Sequence, residues 1–278
     1  MSSPLLTLAL TVLAHTAPGH GATTGPVLPE TGSGEYLPSH TSMRRLATST
    51  NTDLAGQQLP SPPAGVSLKH IALGFGYQNY TCKHVRQPAE ATGALAMLYD
   101  VTALYPGQGP ASLSHPDFEN LTAKVLSHNH IPIQVPSRHR QHQQPVDACI
   151  VDSAAAYASR PFPPDAGLWV EGIPQALPFL GHHYFDADGV PIFRIDGGRT
   201  DIPAAKVASV QPPAAAYAGP DGTGAVSWLF LRGKHSPVGV KYYVYRVLTA
   251  GGTSHGCARA TGDDSSSYAA TYWFYGQT

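Results

Sequence analysis

Ala225-Val-Ser-Trp-Leu-Phe-Leu-Arg-Gly-Lys234, Lys241-Tyr-Tyr-Val-Tyr-Arg-Val-Leu-Thr-Ala-Gly-Gly252 and Tyr268-Ala-Ala-Thr-Tyr-Trp-Phe-Tyr-Gly276 decide the fold class of this chain. All three runs are rich in β-branched and aromatic residues. Gly, Pro, Ser and Asp cut them apart. Such runs read as consecutive antiparallel strands. In two of them both faces are apolar: Val226, Trp228 and Phe230 alternate with Leu229 and Leu231, and Tyr242 and Val244 with Tyr243, Tyr245 and Val247. Strands of that kind are central and covered on both sides.

Working back from these strands, Leu180 to Ile195 reads as a hairpin, with Asp188-Gly189 as its turn. Ala204 to Val210 reads as a further strand, ended by Pro212-Pro213. Val66 to Leu73 opens the folded part, and strand signal resumes from Tyr77 to Cys82. Gly74 and Gly76 between them suggest a bulge or bend. Gly93 to Thr102 is the next strand. Residues 104–179 form a long irregular insertion with too few apolar residues for its own core. Within it Ser114 caps a short helix that carries Phe118, Leu121 and Val125 on one face. The expected fold is all-β: an antiparallel two-sheet β-sandwich over residues 64–278, with this insertion laid over its outer face.

Leu5 to Leu13 is an apolar run of secretory length, too short to span a bilayer, and small residues follow it. Residues 1–22 therefore read as a secretory signal peptide. Residues 23–63 read as a disordered linker rich in Thr, Ser, Gly, Pro and Ala, with too little apolar surface to offset ordering entropy. Arg44-Arg45 within it is either a processing site or a solvated pair. No transmembrane helix is expected. Two sequons, at Asn79 and Asn120, suit a secreted glycoprotein. The three cysteines are Cys82, Cys149 and Cys257; in an oxidising compartment two pair and one is left over.

Composition excludes some partners. Net charge is -1 with charged residues at 13%, so a nucleic-acid partner has no electrostatic support. Fourteen histidines are present, and protonating all of them would carry the net charge from -1 to +13.

Several motifs invite chemistry. Gly74-Phe-Gly76 lacks the third glycine and the following helix of a dinucleotide loop, so no cofactor is assigned. Gly252-Thr-Ser254-His-Gly256 matches a nucleophile elbow, but no helix follows it, and a glycine-rich hairpin loop is preferred. His128-Asn-His130 has no Glu at short spacing, and Ile131-Pro132 breaks the strand. His182 and His183 are adjacent and point to opposite faces of a strand, one of them inward. Cleavage after Ala14 would make His15 an amino-terminal copper ligand, but a long flexible segment follows it. No metal and no catalytic residue is assigned. His183, Asp186 and Arg194 are the candidates for a polar groove near the hairpin, with Asp196 close by.

Gln78-Asn-Tyr-Thr-Cys82, Ala96 to Asp100, Gly181-His-His-Tyr-Phe185, Ala225 to Leu229, Tyr245 to Gly252, Gly256-Cys257 and Tyr268 to Tyr275 occur in an order that resembles a secreted fungal and bacterial family, domain of unknown function 3455. The resemblance implies an all-β secreted domain and pairs Cys82 with Cys257. It brings no activity. Fungal members are often labelled malate dehydrogenase, which the residues above do not support. The expected role is a non-enzymatic extracellular protein that binds a surface, cell-wall or other polysaccharide. The alternative is a carbohydrate-active or metal-dependent enzyme on the same scaffold.

Overall fold

The computed structural model describes residues 58–133, 161–234 and 241–277. The signal segment, most of the linker, Arg44-Arg45, His15 and Cys149 lie outside them. Among the described residues there are eight strands: β1 (Val66–Cys82), β2 (Glu90–Asp100), β3 (Phe179–Phe185), β4 (Pro191–Ile195), β5 (Thr200–Val210), β6 (Trp228–Gly233), β7 (Tyr242–Gly251) and β8 (Gly262–Gln277). Each pairs antiparallel with its neighbour in sequence, and β8 pairs back onto β1. The sheet is a closed barrel, not the expected pair of sheets.

The physical reason is the small inward face of β1 and β2. Ala72, Gly74, Ala94 and Ala96 leave the lumen open to large rings from other strands. A Cβ on Gly74 would meet the Tyr272 ring at 2.5 Å. Phe193 on β4 reaches Tyr272 and Phe274 on β8, with ring centroids 5.2 and 5.5 Å apart. Those strands are not neighbours, so the rings meet across the interior. An eight-stranded barrel is just wide enough for side chains to fill it, or to hold one small ligand.

The outer face explains why both faces of the late strands are apolar. Ile71, Leu73 and Phe75 of β1, Met97 of β2, Tyr245 of β7 and Trp273 of β8 form a second core outside the barrel. Two helices cover it, α1 (His115–Glu119) and α2 (Leu121–His128). Ser114 caps α1 as expected, its Oγ accepting from the Asp117 amide at 3.3 Å. Phe118, Leu121 and Val125 are buried. Tyr105 stands edge-on to both Phe118 and Trp273, each at 5.1 Å. The described part of the insertion therefore packs on the barrel and builds no separate core.

Two local expectations are corrected. The ladder shifts register at Leu68/His70 against β8 and at Asn79/Tyr80 against β2, not at Gly74 and Gly76. Gly76 is instead a point of close backbone approach, where a Cβ would lie 1.9 Å from the Leu95 carbonyl oxygen. The end of the expected linker is also docked: Leu59 packs on the outer core, and the Pro60 carbonyl accepts from the Tyr245 hydroxyl at 2.8 Å. The hairpin turn stands as expected, with Gly189 at φ 71°.

Candidate functional site

One end of the barrel opens into a cavity of about 400 Å³. Four strands supply its depth: Gln78 from β1, His183 from β3, Arg246 from β7 and Tyr272 from β8. Alternation aims each of them inward, on the same parity as Ala72, Phe193, Val244 and Ala270. Phe185, Phe193, Leu229 and Leu231 make the walls apolar. Lys206 and Ser209 stand exposed at the rim.

Arg246 is only 9% exposed. Its Nε and Nη2 both donate to the Ser227 carbonyl, at 3.2 and 2.9 Å, and its Nη1 reaches Gln78 Oε1 at 3.4 Å. It also hydrogen-bonds the Tyr272 phenol. None of these partners is a carboxylate, and among the described residues no Asp or Glu lines the cavity. Asp264, the buried acid of β8, is engaged elsewhere. It accepts from the Ser254 hydroxyl at 2.5 Å, the His255 amide at 2.9 Å and His255 Nδ1 at 2.7 Å.

Gln78 is 7% exposed, and its Nε2 makes no hydrogen bond of good geometry. The Tyr268 phenol lies beside the Gln78 amide and within 3.1 Å of the Tyr272 hydroxyl. Burial raises both phenols above their ordinary range, so both are neutral donors. Burial also pushes Tyr80 up to about 12, where Arg246 opposes the shift and Asp264 adds to it.

His183 is 4% exposed, and its ring stacks on Phe193 at 4.2 Å. Nδ1 lies 2.9 Å from the Ile192 carbonyl oxygen, an acceptor, so Nδ1 carries the proton and Nε2 the lone pair. Burial lowers the pKa to about 4, and the ring is neutral near pH 7. His182 sits on the opposite face between Phe162 and Phe179, as adjacent strand positions require.

The same alternation breaks up the expected groove. His183 pairs with Phe193, while Arg194 pairs with His182 and so points out of the barrel. Arg194 grips Asp201 through two bonds of 2.7 and 2.8 Å. Asp186 closes the β3–β4 turn, its Oδ1 accepting from the Asp188 and Val190 amides. Asp196 lies at the far end of the barrel, where His70 bridges it and Asp100 at 3.4 and 3.2 Å. The three candidates share no cleft; only His183 belongs to the lumen.

The remaining candidates fall out as follows. Cys82 and Cys257 form a disulfide, with Cα atoms 5.4 Å apart. Asn79 is 8% exposed within β1, and its Oδ1 accepts from Ser265, a placement that does not suit a glycan acceptor in the folded chain. Asn120 is exposed between α1 and α2. Ser254 donates to the Asp264 carboxylate and not to an imidazole, in a strand-flanked loop with no helix after it among the described residues. Gly74-Phe-Gly76 runs mid-strand in β1, paired on both sides, and more strand follows. His128 caps its own helix through the Lys124 carbonyl. Among the described residues no three His, Cys, Asp or Glu side chains gather as metal ligands, and no helix is long and apolar enough to cross a membrane. A larger cavity, of about 540 Å³, lies outside the barrel between α1, α2 and Tyr217. Its polar lining residues Asp117, Lys124 and His128 are solvated or half-solvated, so they make no desolvated recognition site.

Arg246, Gln78 and Tyr272 escape sequence reasoning. The available signal is Arg246 itself, a cation in step with Val244 in a strand apolar on both faces. A charge at a covered position marks a site worth inspecting. The sequence pattern of a family described as protein of unknown function (DUF3455) matches residues 62–276. No curated protein matches the chain, and no solved structure matches it.

Proposed function

The chain belongs to the family of domain of unknown function 3455, and from its geometry we propose that it is a secreted, non-enzymatic binding protein that holds a small anionic molecule inside its barrel. One observation carries this: Arg246 is buried at the base of a concave cavity that no Asp or Glu among the described residues lines. An unpaired buried cation is costly, and an anion in the lumen supplies the missing partner. The cavity size falls in the range of small-molecule sites, and a few polar groups converge in mostly apolar walls.

Turnover is less well supported. His183 is a weak base because it is desolvated, the phenols are held neutral, and no carboxylate joins them. Adhesion to a polysaccharide would call for an exposed aromatic platform. Among the described residues Trp169, 69% exposed, and Tyr217 are the exposed aromatic side chains, and they stand on different loops, one between β2 and β3 and the other between β5 and β6. Secretion is supported by the apolar amino-terminal run and the disulfide. Asn120 is the sequon asparagine open to a glycan.

The test is fluorescence titration with 1-anilinonaphthalene-8-sulfonate, an anionic amphipathic dye. One saturable site is expected in the wild type. Ser209→Trp, at the exposed rim, should block it without disturbing the core. Dye binding that ignores Ser209→Trp, or no binding at all, would overturn the lumen as the site.

A further inference from the structure

Resting on the lumen as a binding site, we infer that its ligand class is a small carboxylic acid with a flat, unsaturated or aromatic body. The cavity is polarised along its depth. At the base, a guanidinium, an amide and a phenol converge. Arg246 offers N–H groups, Gln78 has an Nε2 with no hydrogen bond of good geometry, and Tyr272 has a hydroxyl already in contact with Arg246. All three can donate, and a carboxylate offers acceptor sites for more than one of them at once. Gln78 lines the cavity with its Oε1 held by Arg246, and its buried Nε2, which makes no hydrogen bond of good geometry, is a donor that a ligand oxygen drawn to Arg246 can engage by a small turn of the amide.

The body of the ligand follows from the walls. His183 and Phe193 lie parallel within 6°, and Phe185 and Tyr272 stand beside His183 at 5.7 and 5.5 Å. Leu229, Leu231 and Val226 add aliphatic surface to the lining. Rings and aliphatic groups of that kind receive a flat apolar body and offer little to a polyhydroxylated one. An enclosed apolar cavity of about 150 Å³ already accepts a benzene ring, so the volume here leaves room for a ring with its acid group and for rim water. Lys206 at the mouth adds a solvated positive charge that draws anions in. The neutral His183 adds none, so the anion selectivity of the base falls on Arg246.

Calorimetric titration with benzoate and its uncharged isostere benzamide tests this, on wild type, Arg246→Gln, Arg246→Lys and Ser209→Trp. Benzoate should bind the wild type at least tenfold more tightly than benzamide. Arg246→Gln should erase that preference, Arg246→Lys should keep part of it, and Ser209→Trp should abolish both. If Arg246→Gln fails to fold, Gln78→Glu serves instead: a negative charge at the base should weaken benzoate at least tenfold and leave benzamide within about threefold. Equal binding of benzoate and benzamide overturns the carboxylate, as does dye binding in the lumen with neither ring compound bound. In both outcomes the lumen still stands as a site. Loss of the dye site as well overturns both.

Discussion

Replacing His183 with phenylalanine should flatten the acid limb of this protein's stability curve. The wild-type imidazole is buried, and its pKa drops from 6.5 to about 4 in the folded state. Above pH 6.5 it is neutral folded and unfolded, and its full contribution is present. As pH falls through 6.5 the unfolded chain takes up the proton first. Stability is then lost until about pH 4, where the folded ring is protonated too. Between pH 7.5 and 4.5 the loss amounts to roughly 2–3 kcal/mol. For a domain of this size that is about 5–10 °C in thermal midpoint. Phenylalanine keeps a ring against Phe193 but cannot titrate. It leaves the Ile192 carbonyl without its donor, at a cost of about 1–3 kcal/mol that is the same at both pH values. The assay is the midpoint of each protein at pH 7.5 and 4.5. Titration of the other histidines is common to both and cancels in the difference. The wild type should lose roughly 5–10 °C more than the variant over this interval. Equal losses would refute the neutral, desolvated imidazole in the lumen.

His70 should act in the opposite sense. Its hydrogen bond to Asp100 raises its pKa against the effect of burial, while bonds from His70 and Thr102 hold the Asp100 carboxyl low although burial opposes them. The pair's stabilisation is therefore complete between the unfolded pKa values of 3.8 and 6.5, fades as pH rises through the folded value of His70, and fades as pH falls through that of Asp100. His70→Asn should lower the midpoint most near pH 5 and least near pH 9, and a difference that grows with pH would be wrong for this pair. Removing the disulfide with Cys82→Ser and Cys257→Ser frees a loop with a sequence separation of 175; on chain entropy this costs about 5 kcal/mol, and a midpoint lowered by less than about 3 °C would contradict it. Gly76→Ala should destabilise by more than about 3 kcal/mol in denaturant titration, because its Cβ meets backbone that cannot turn aside; a cost below about 1 kcal/mol would place β1 and β2 farther apart than described.

Much of the local structure was legible in the sequence, although β1 read as two pieces parted at Gly74 and Gly76 and β8 as beginning at Tyr268 instead of Gly262. Alternation located the strands, Asp188-Gly189 the hairpin, Ser114 the helix start, and the adjacency of His182 and His183 their opposite directions. Closure was not legible, because it depends on register between distant strands and on the small inward residues Ala72, Gly74, Ala94 and Ala96, which read as weak strand formers when taken singly. The same limit hid the site. Gln78, His183, Arg246 and Tyr272 come from four strands, and nothing local to any of them announces the others. The expected groove failed for a related reason. His183, Asp186 and Arg194 are close in sequence, but strand parity sends His183 inward and Arg194 outward.

The pairing of β1 with β8 also sets the order in which this molecule can be made. The first and last strands join along almost their whole length, from Val66 opposite Gln277 to Cys82 opposite Gly262. Until β8 has left the ribosome, β1 has one edge with no partner, carrying Ile71, Leu73 and Phe75 beside open backbone groups. Contacts between chain ends form slowly, and an unpaired apolar edge recruits other chains in the meantime. Cys82 stands at the end of that seam and meets Cys257 just before β8 begins, so oxidation holds the two edges in register once they meet. Shielding of β1 and oxidation of the thiols thus act on one event, the zipping of this seam.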